Sequence, residues 1–509
     1  MISPDLTRAD SAKLGPSGGP ITKDNTGVEY YATIFTVAES NFDPNVIWTG
    51  SDDGLIYVTR DGGQTWTNVT PPPKLMPEWI QVNDIVAHPF EPGGLYVAAT
   101  LYKSDDFHPY LYKTTDYGQT WTKIVDGIDP AHFTRTIQPD PKRRGLLYAG
   151  AESGMYVSFD DGAHWTPFQQ NLPVVPITDL DMKDDDLIVA TQGRAFWIID
   201  DVTPLHQLND EVAASAHWLF APRPTYRMAG GRFGGGSGVT LRYYFKDAPD
   251  SSAVKLRILE ADGDVIRTFT PKTKGQKLAV EAGMNAFRWN MRYEDAETFP
   301  GLIMWAGTTR GPVAVPGVYQ ARLIVGDDST SVPFEIKKDP RSSSTVADLQ
   351  AQFDFLMEIR DKLSETHRAI KKIRDVRSQT KAITSRLGDY EGADEIREAA
   401  KALNEKLTAI EETLYQTKNQ SRQDPLNFPI RLNNKLAAVA STASVGDYRP
   451  TDQAVAVKEE LTAAIDAELA KLDTILETDL PAFNDLVREK AIPAVIVKTD
   501  EPATTPGTH

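Results

Sequence analysis

Apolar and polar residues alternate in three successive rhythms along the chain. From Tyr31 the run Ile34-Phe35-Thr36-Val37-Ala38 opens a set of four short alternating segments, continued by 46–50, 55–59 and 66–69 and separated by turn residues. A second set occupies 84–87, 95–99, 110–113 and 121–124, and a third occupies 135–137, 146–150, 155–158 and 165–168. A fourth uses 178–181, 187–190 and 195–198 and runs into Pro204-Leu205-His206-Gln207-Leu208, read as its last strand. The pattern predicts a polar, Gly/Pro-rich lead-in loop over 1–30 and four antiparallel four-stranded blades over 31–210.

After a linker containing Gly234-Gly235-Gly236, alternation resumes at 239–245, 254–259, 265–269, 285–290 and 318–325, predicting a β-sandwich of about seven strands within 211–340. From Ser343 the period changes to threes and fours. Leu349, Phe353, Leu356, Leu363 and Ile370, then Ile396, Ala400, Leu403, Leu407, Ile410 and Leu414, mark helical seams. Further seams around Leu432-Leu436-Val439 and Leu461-Ile465-Leu469, with breaks at 388–392 and 445–450, predict a separable antiparallel bundle over 341–490, suited to dimerisation or docking. The Pro/Thr-rich end, 491–509, reads as a disordered tail. The fold class is therefore mainly β: propeller blades, an immunoglobulin-like sandwich and a helical bundle.

One motif recurs in the first region. Thr59-Arg60-Asp61-Gly62-Gly63-Gln64-Thr65-Trp66 returns as Thr114-Thr115-Asp116-Tyr117-Gly118-Gln119-Thr120-Trp121 and as Ser158-Phe159-Asp160-Asp161-Gly162-Ala163-His164-Trp165. The shared form is Ser/Thr-x-Asp-x-Gly-x-x-Trp, which suits a tight turn between strands. Asp61, Asp116 and Asp160 fold back on their own turns, Gly63, Gly118 and Gly162 take positive φ, and Trp66, Trp121 and Trp165 are expected to be buried beneath their loops. Tryptophan spacings of roughly 55 and 44 residues match the unit length of a propeller blade.

These boxes resemble the Asp-box of BNR-repeat propellers, found in sialidases, the sortilin/Vps10 group and xyloglucan-cleaving double-propeller glycosidases. Together with Gly18-Gly19-Pro20-Ile21-Thr22-Lys23-Asp24-Asn25, the segment 190–201 and Pro316-Gly317-Val318-Tyr319, the chain is similar to the C-terminal half of large bacterial sortilin-like BNR-repeat proteins labelled glycosyl hydrolase. The resemblance implies a secreted or periplasmic protein, box residues at the blade periphery away from chemistry, and further repeats upstream. An incomplete ring leaves a blade with one apolar face open, so a second polypeptide segment, or a second copy, is expected to complete the propeller.

Charge and composition narrow the chemistry. A net charge of −17 over 509 residues, with only a short basic run at Lys371-Lys372-Ile373-Arg374, argues against nucleic acid or an anionic membrane as partner. There is no cysteine, hence no thiol nucleophile or disulfide framework. Neither a signal peptide nor an 18-residue apolar run is legible, so no membrane insertion is expected.

A glycosidase needs two converging carboxylates, and the candidate acids are Asp52-Asp53, Asp105-Asp106 and Asp184-Asp185-Asp186. Acids also fill propeller loops by default, and no arginine triad marks a sialidase. Arg194 is expected to close the last blade through a salt bridge. The eight histidines lack metal spacing, Gly234-Gly235-Gly236-Ser237-Gly238 sits in a linker rather than a nucleophile elbow, and no cofactor is called for. Tyr30-Tyr31 and Trp79 are aromatic candidates for gripping a sugar or peptide. The leading expectation is a non-catalytic protein that binds a peptide, protein or glycan at a propeller face; the alternative is a glycoside hydrolase whose cleft another propeller segment completes.

Overall fold

The computed structural model describes residues 2–14, 31–228, 238–388 and 390–492. The stretch 18–25, most of the lead-in loop, Tyr30, the glycine linker, Asp389 and the tail from 493, His509 included, lie outside the described residues. The chain is mainly antiparallel β with a helical C-terminal region, and it divides into two compact units, Met1–Ala214 and Ser215–His509.

The first unit holds four sheets in series. Sheet 1 contains β1 (Ile34–Glu39), β2 (Ile47–Ser51), β3 (Ile56–Thr59) and β4 (Thr67–Asn68). Sheet 2 contains β5 (Gln81–Ala87), β6 (Leu95–Leu101), β7 (Asp106–Thr114) and β8 (Thr122–Lys123). Sheet 3 contains β9 (Thr134–Pro139), β10 (Leu147–Ala151), β11 (Gly154–Ser158) and β12 (Thr166–Pro167). Sheet 4 has only β13 (Ile177–Lys183), β14 (Asp186–Thr191) and β15 (Phe196–Ile199). The expected fourth strand at 204–208 is instead a short helix, α1 (Thr203–Gln207), because Pro204 stands in its first turn, where a missing N–H costs nothing. A second short helix, α2 (Asp210–Ala214), follows.

Alternation works on both faces of the interior sheets. Val46, Trp48, Ile56 and Val58 of sheet 1 pack on Val82, Ile85, Leu95 and Val97 of sheet 2. The opposite face of sheet 2, with Tyr96, Ala98 and Leu111, packs on Ile137, Leu147 and Ala149. Leu146, Tyr148, Met155 and Val157 then meet Ile177, Leu180, Leu187 and Val189. Each fully buried aliphatic contributes about 1.5–3 kcal/mol, so each junction stabilises both of its sheets. Among the described residues no core cluster joins sheet 4 to sheet 1. Every innermost strand bulges at the same register, after Ile34, Val82, Thr134 and Ile177.

The second unit begins with two sheets around one core. One contains β16 (His217–Leu219), β18 (Val239–Phe245) and β21 (Gly283–Trp289); the other is ordered β17 (Thr225–Arg227), β23 (Asp328–Lys338), β22 (Gly317–Val325), β19 (Val254–Glu260), β20 (Val265–Phe269). Eight strands thus replace the expected seven or so, and Leu241, Phe287 and Trp289 of the first sheet share a core with Leu256, Phe269 and Leu323 of the second.

Helix α3 (Val346–Thr384) starts at a reciprocal cap in which Thr345 Oγ1 accepts from Asp348 N and the Asp348 carboxylate accepts from Thr345 N. It is followed by α4 (Ala393–Leu414), α5 (Leu432–Ala443), α6 (Asp452–Thr474) and, beyond a π turn, α7 (Leu480–Glu489). The long connection between β21 and β22 enters this helical core. Ala296 and Phe299 lie in one cluster with Ile370, Leu407 and Leu436. Trp305 N donates to Asn434 Oδ1 at 2.7 Å, and Arg227 on β17 forms a buried ion pair with Asp447 at 3.1 Å.

Candidate functional site

The register separates two ends of the first unit. β1 finishes where Glu39 pairs with Ile47, and Ile47 also pairs with Thr59, so the Asp-boxes sit where the innermost strands end. The hairpins after β2, β6, β10 and β14 lie at the other end, where the innermost strands begin.

At the box end the chemistry is that of turns. Asp61 accepts from Thr59 Oγ1, Thr65 N and Thr65 Oγ1 at 2.8, 2.9 and 2.6 Å, and these bonds, led by the Thr65 hydroxyl, hold its carboxyl down at about 2. Asp116 repeats the arrangement with Thr114 and Thr120, and Asp160 with Ser158 and His164. Gly63, Gly118 and Gly162, all at positive φ, donate their N–H to the hydroxyl that opens each box. The tryptophans do more than fill their own turns. Trp121 Nε1 donates to Val69 O and Trp165 Nε1 to Ile124 O, both at 2.8 Å, in the connector leaving the preceding sheet. Trp165 is 1% exposed, whereas Trp121 and Trp66 are only partly buried, which corrects the expectation that all three are covered.

The candidate loop acids divide between the two ends, Asp52-Asp53 and Asp105-Asp106 at one and Asp184-Asp185-Asp186 at the other. Asp52 accepts from Thr33 N at 2.9 Å, buried Asp53 from Ser51 Oγ and Arg8 N at 2.5 and 2.7 Å, and Asp106 from Tyr110 OH at 2.7 Å. Asp105 occupies the left-handed region in the hairpin before β7. Asp184, Asp185 and Asp186 lie at the box end, where Asp185 pairs with Lys142 at 2.6 Å and Asp186 accepts from Asp201 N. Arg194 is exposed, and among the described residues it forms no ion pair. The salt bridge expected to close the last blade is not formed; instead the Arg194 carbonyl takes Trp197 Nε1 at 3.0 Å.

The end where the innermost strands begin is aromatic and basic. Tyr31 stacks on Trp79 at 6.5 Å, and the Arg8 guanidinium and Lys13 ammonium lie 4.7 and 4.1 Å from the Trp79 ring. Trp79 has φ +63°, a costly conformation for so bulky a residue. Tyr102 stacks on Phe133 at 4.9 Å, exposed Phe107 adds a third ring at 6.0 Å, and Arg135 lies over Phe133 while pairing with Glu152 at 2.6 Å. The bulges place Phe35, Asn83, Arg135 and Thr178 at one level, one from each sheet. Sequence reading missed these four; the signal was a Thr or Asp followed by an aliphatic residue, with the bulged residue just before it.

Asp84 and Asp179 follow the bulges of sheets 2 and 4. Burial pushes the Asp84 carboxyl up to about 6, opposed by hydrogen bonds from Thr136 Oγ1 and Ile137 N and assisted by the charge of Asp179. Among the described residues no group of three or more metal-ligating side chains is assembled, and no helix is long and apolar enough to cross a membrane.

No family model matches the chain. Over 132 residues, 25% of this chain, it is 32% identical to a probable oligoxyloglucan-reducing end-specific xyloglucanase of Neosartorya fischeri. Over 162 residues, 27% of the chain, it is 25% identical to a xyloglucanase of a Paenibacillus species. These matches span 16% and 15% of the two proteins. Among solved structures, YCF48 bound to a D1 peptide aligns with 47% of this chain and 69% of its own at 16% identity and a TM-score of 0.26.

Proposed function

We propose that the chain is a secreted or periplasmic, sortilin-like Asp-box propeller protein that binds, without cleaving, a peptide, protein or glycan across the end of the sheets where the innermost strands begin. The observation that carries this reading is the row of bulged residues Phe35, Asn83, Arg135 and Thr178, flanked by the Tyr31–Trp79 and Tyr102–Phe133 stacks. Aromatic faces beside a guanidinium grip sugar rings or peptide side chains by stacking and directed hydrogen bonds. The loop acids support binding over hydrolysis, because Asp52, Asp53, Asp106, Asp185 and Asp186 already accept hydrogen bonds or pair with a lysine, and the 184–186 group stands at the opposite end of the sheets from the other two.

A second reading, a glycoside hydrolase, is favoured by the likeness to the two xyloglucan-degrading enzymes. Its proton donor would be Asp84, whose carboxyl stands near 6, although Thr136 and Ile137 already engage it. Titration of the purified chain with xyloglucan oligosaccharides, sialosides and a peptide library, while reducing ends are monitored, separates the two. Binding without turnover is expected, weakened about tenfold or more in Arg135→Ala and Phe35→Ala. Turnover abolished in Asp84→Asn would replace binding by hydrolysis.

A further inference from the structure

In the second unit the long connection between β21 and β22 doubles back on itself before it reaches the helices. Tyr293 N donates to Pro312 O at 3.1 Å and Ala296 N to Thr309 O at 2.7 Å, while Arg292 and Val313 form an isolated antiparallel bridge. Residues 308–312 are thereby pinned along 292–296. Gly311 is required at this crossing, since a Cβ there would run into the Tyr293 carbonyl.

This loop, α3 and the end of α5 enclose a cavity of about 140 Å³. Three of its lining residues are arginines, Arg292, Arg310 and Arg360, and four are apolar, Leu356, Ile359, Leu363 and Ala440. Among the described residues no carboxylate lines it. Arg292 Nη1 donates to Gly311 O at 2.8 Å and Arg360 Nη1 to Glu294 O at 3.3 Å, so two of the guanidiniums are held in place by backbone. Their remaining donors are under-used. Arg360 Nε is buried and meets no acceptor among the described residues, and the exposed Arg310 side chain forms no ion pair there.

The charges around the cavity favour an anion. Burial, and after it the charge of Arg310, push the Arg292 guanidinium below its ordinary value, with Asp295 opposing. Asp295 accepts from Gly311 N at 2.8 Å and Asp361 pairs with Arg360 at 2.6 Å, but both acids are exposed and water screens them. The end of α5 adds about half a unit of negative charge. Three guanidiniums with N–H groups to spare outweigh these. Holding one water takes about 10–15 Å³ and a drug-sized ligand fills about 300–1,000 Å³, which sets the ligand at a handful of non-hydrogen atoms.

We infer that this cavity binds a short aliphatic carboxylate, its oxygens taken by Arg292, Arg310 and Arg360 and its hydrocarbon body lying on Leu356, Ile359 and Leu363. The guanidinium fork suits carboxylates and inorganic oxyanions alike, and the apolar residues decide between them, because they reward a hydrocarbon body that phosphate lacks. The inference is independent of what the ligand face of the first unit binds. Isothermal titration of butyrate, acetate and inorganic phosphate into the full chain tests it, with Arg310→Gln as the variant and Lys274→Gln as a control of equal charge change. Both replaced residues are exposed, so the fold is retained, as circular dichroism melts would verify. Butyrate is expected to saturate at one per chain and to bind about tenfold more tightly than acetate, the effect of two buried methylenes, and more tightly than phosphate. Arg310→Gln should weaken butyrate tenfold or more, and Lys274→Gln should leave it unchanged. Failure of butyrate to saturate the wild type overturns the inference. Equal affinity in Arg310→Gln, or phosphate bound as tightly as butyrate, overturns it as well.

Discussion

Each apolar core of the first unit belongs to two neighbouring sheets, so Trp48, Tyr96 and Tyr148 are buried by residues of the next repeat. In the second unit Phe299, from a connection between two strands, sits in the same core as Ile370, Leu407 and Leu436, and Arg227 reaches across to Asp447. One region is a series of like junctions that stops with faces uncovered, and the other is a single body tied by contacts distant in sequence. Stability is therefore additive along the first and all-or-none in the second.

The largest effect that breaks or sharpens this contrast is a cut through the second unit. The helical fragment 343–490, deprived of Phe299 and of the Arg227 partner of Asp447, is expected to lose cooperative thermal unfolding by circular dichroism. A cooperative melt would show the helices to be self-sufficient and erase the contrast. Within the first unit, Trp165→Ala is expected to cost about 3–5 kcal/mol by urea unfolding, as for other buried aromatics. Trp121→Ala should cost less and Trp66→Ala least, following their burial; equal losses would mean that the end box is supported as fully as the interior one.

The smallest effect concerns the Asp84 staple. Its folded carboxyl stands at about 6, above the unfolded value of about 3.9, so the folded state holds the proton more tightly. The contribution of Asp84 to stability accordingly falls as pH rises from about 4 to about 6 and is level above that range. Asp84→Asn should remove this slope, seen as a pH-dependent difference between variant and wild type in urea midpoints from pH 4 to 7. A difference constant across that range contradicts the staple.

What was legible in the sequence was local. The Ser/Thr-x-Asp-x-Gly-x-x-Trp boxes announce themselves because their Asp and Gly act within one turn, and the alternating runs and helical seams locate most sheets and helices. The missing outer strand of sheet 4 was not legible, because Pro204-Leu205 is as apolar as a strand end. β23 escaped notice because it opens on Asp328-Ser329-Thr330-Ser331 and becomes a strand by pairing from Asp328 to Ile336 with β22. The candidate ligand face was hidden for a similar reason: Phe35 and Arg135 are aimed by bulges, which exist only in the register between strands. Nor did the boxes reveal that Trp121 and Trp165 each bind a carbonyl of the preceding connector.

The central claim is that the bulged row Phe35, Asn83, Arg135 and Thr178 forms a ligand face. Isothermal titration of xyloglucan oligosaccharides and of a peptide library into the wild type and into Arg135→Ala, with reducing ends followed in parallel, tests it most directly. The account predicts saturable binding without turnover that weakens about tenfold or more in Arg135→Ala. Binding of equal strength in that variant would contradict it.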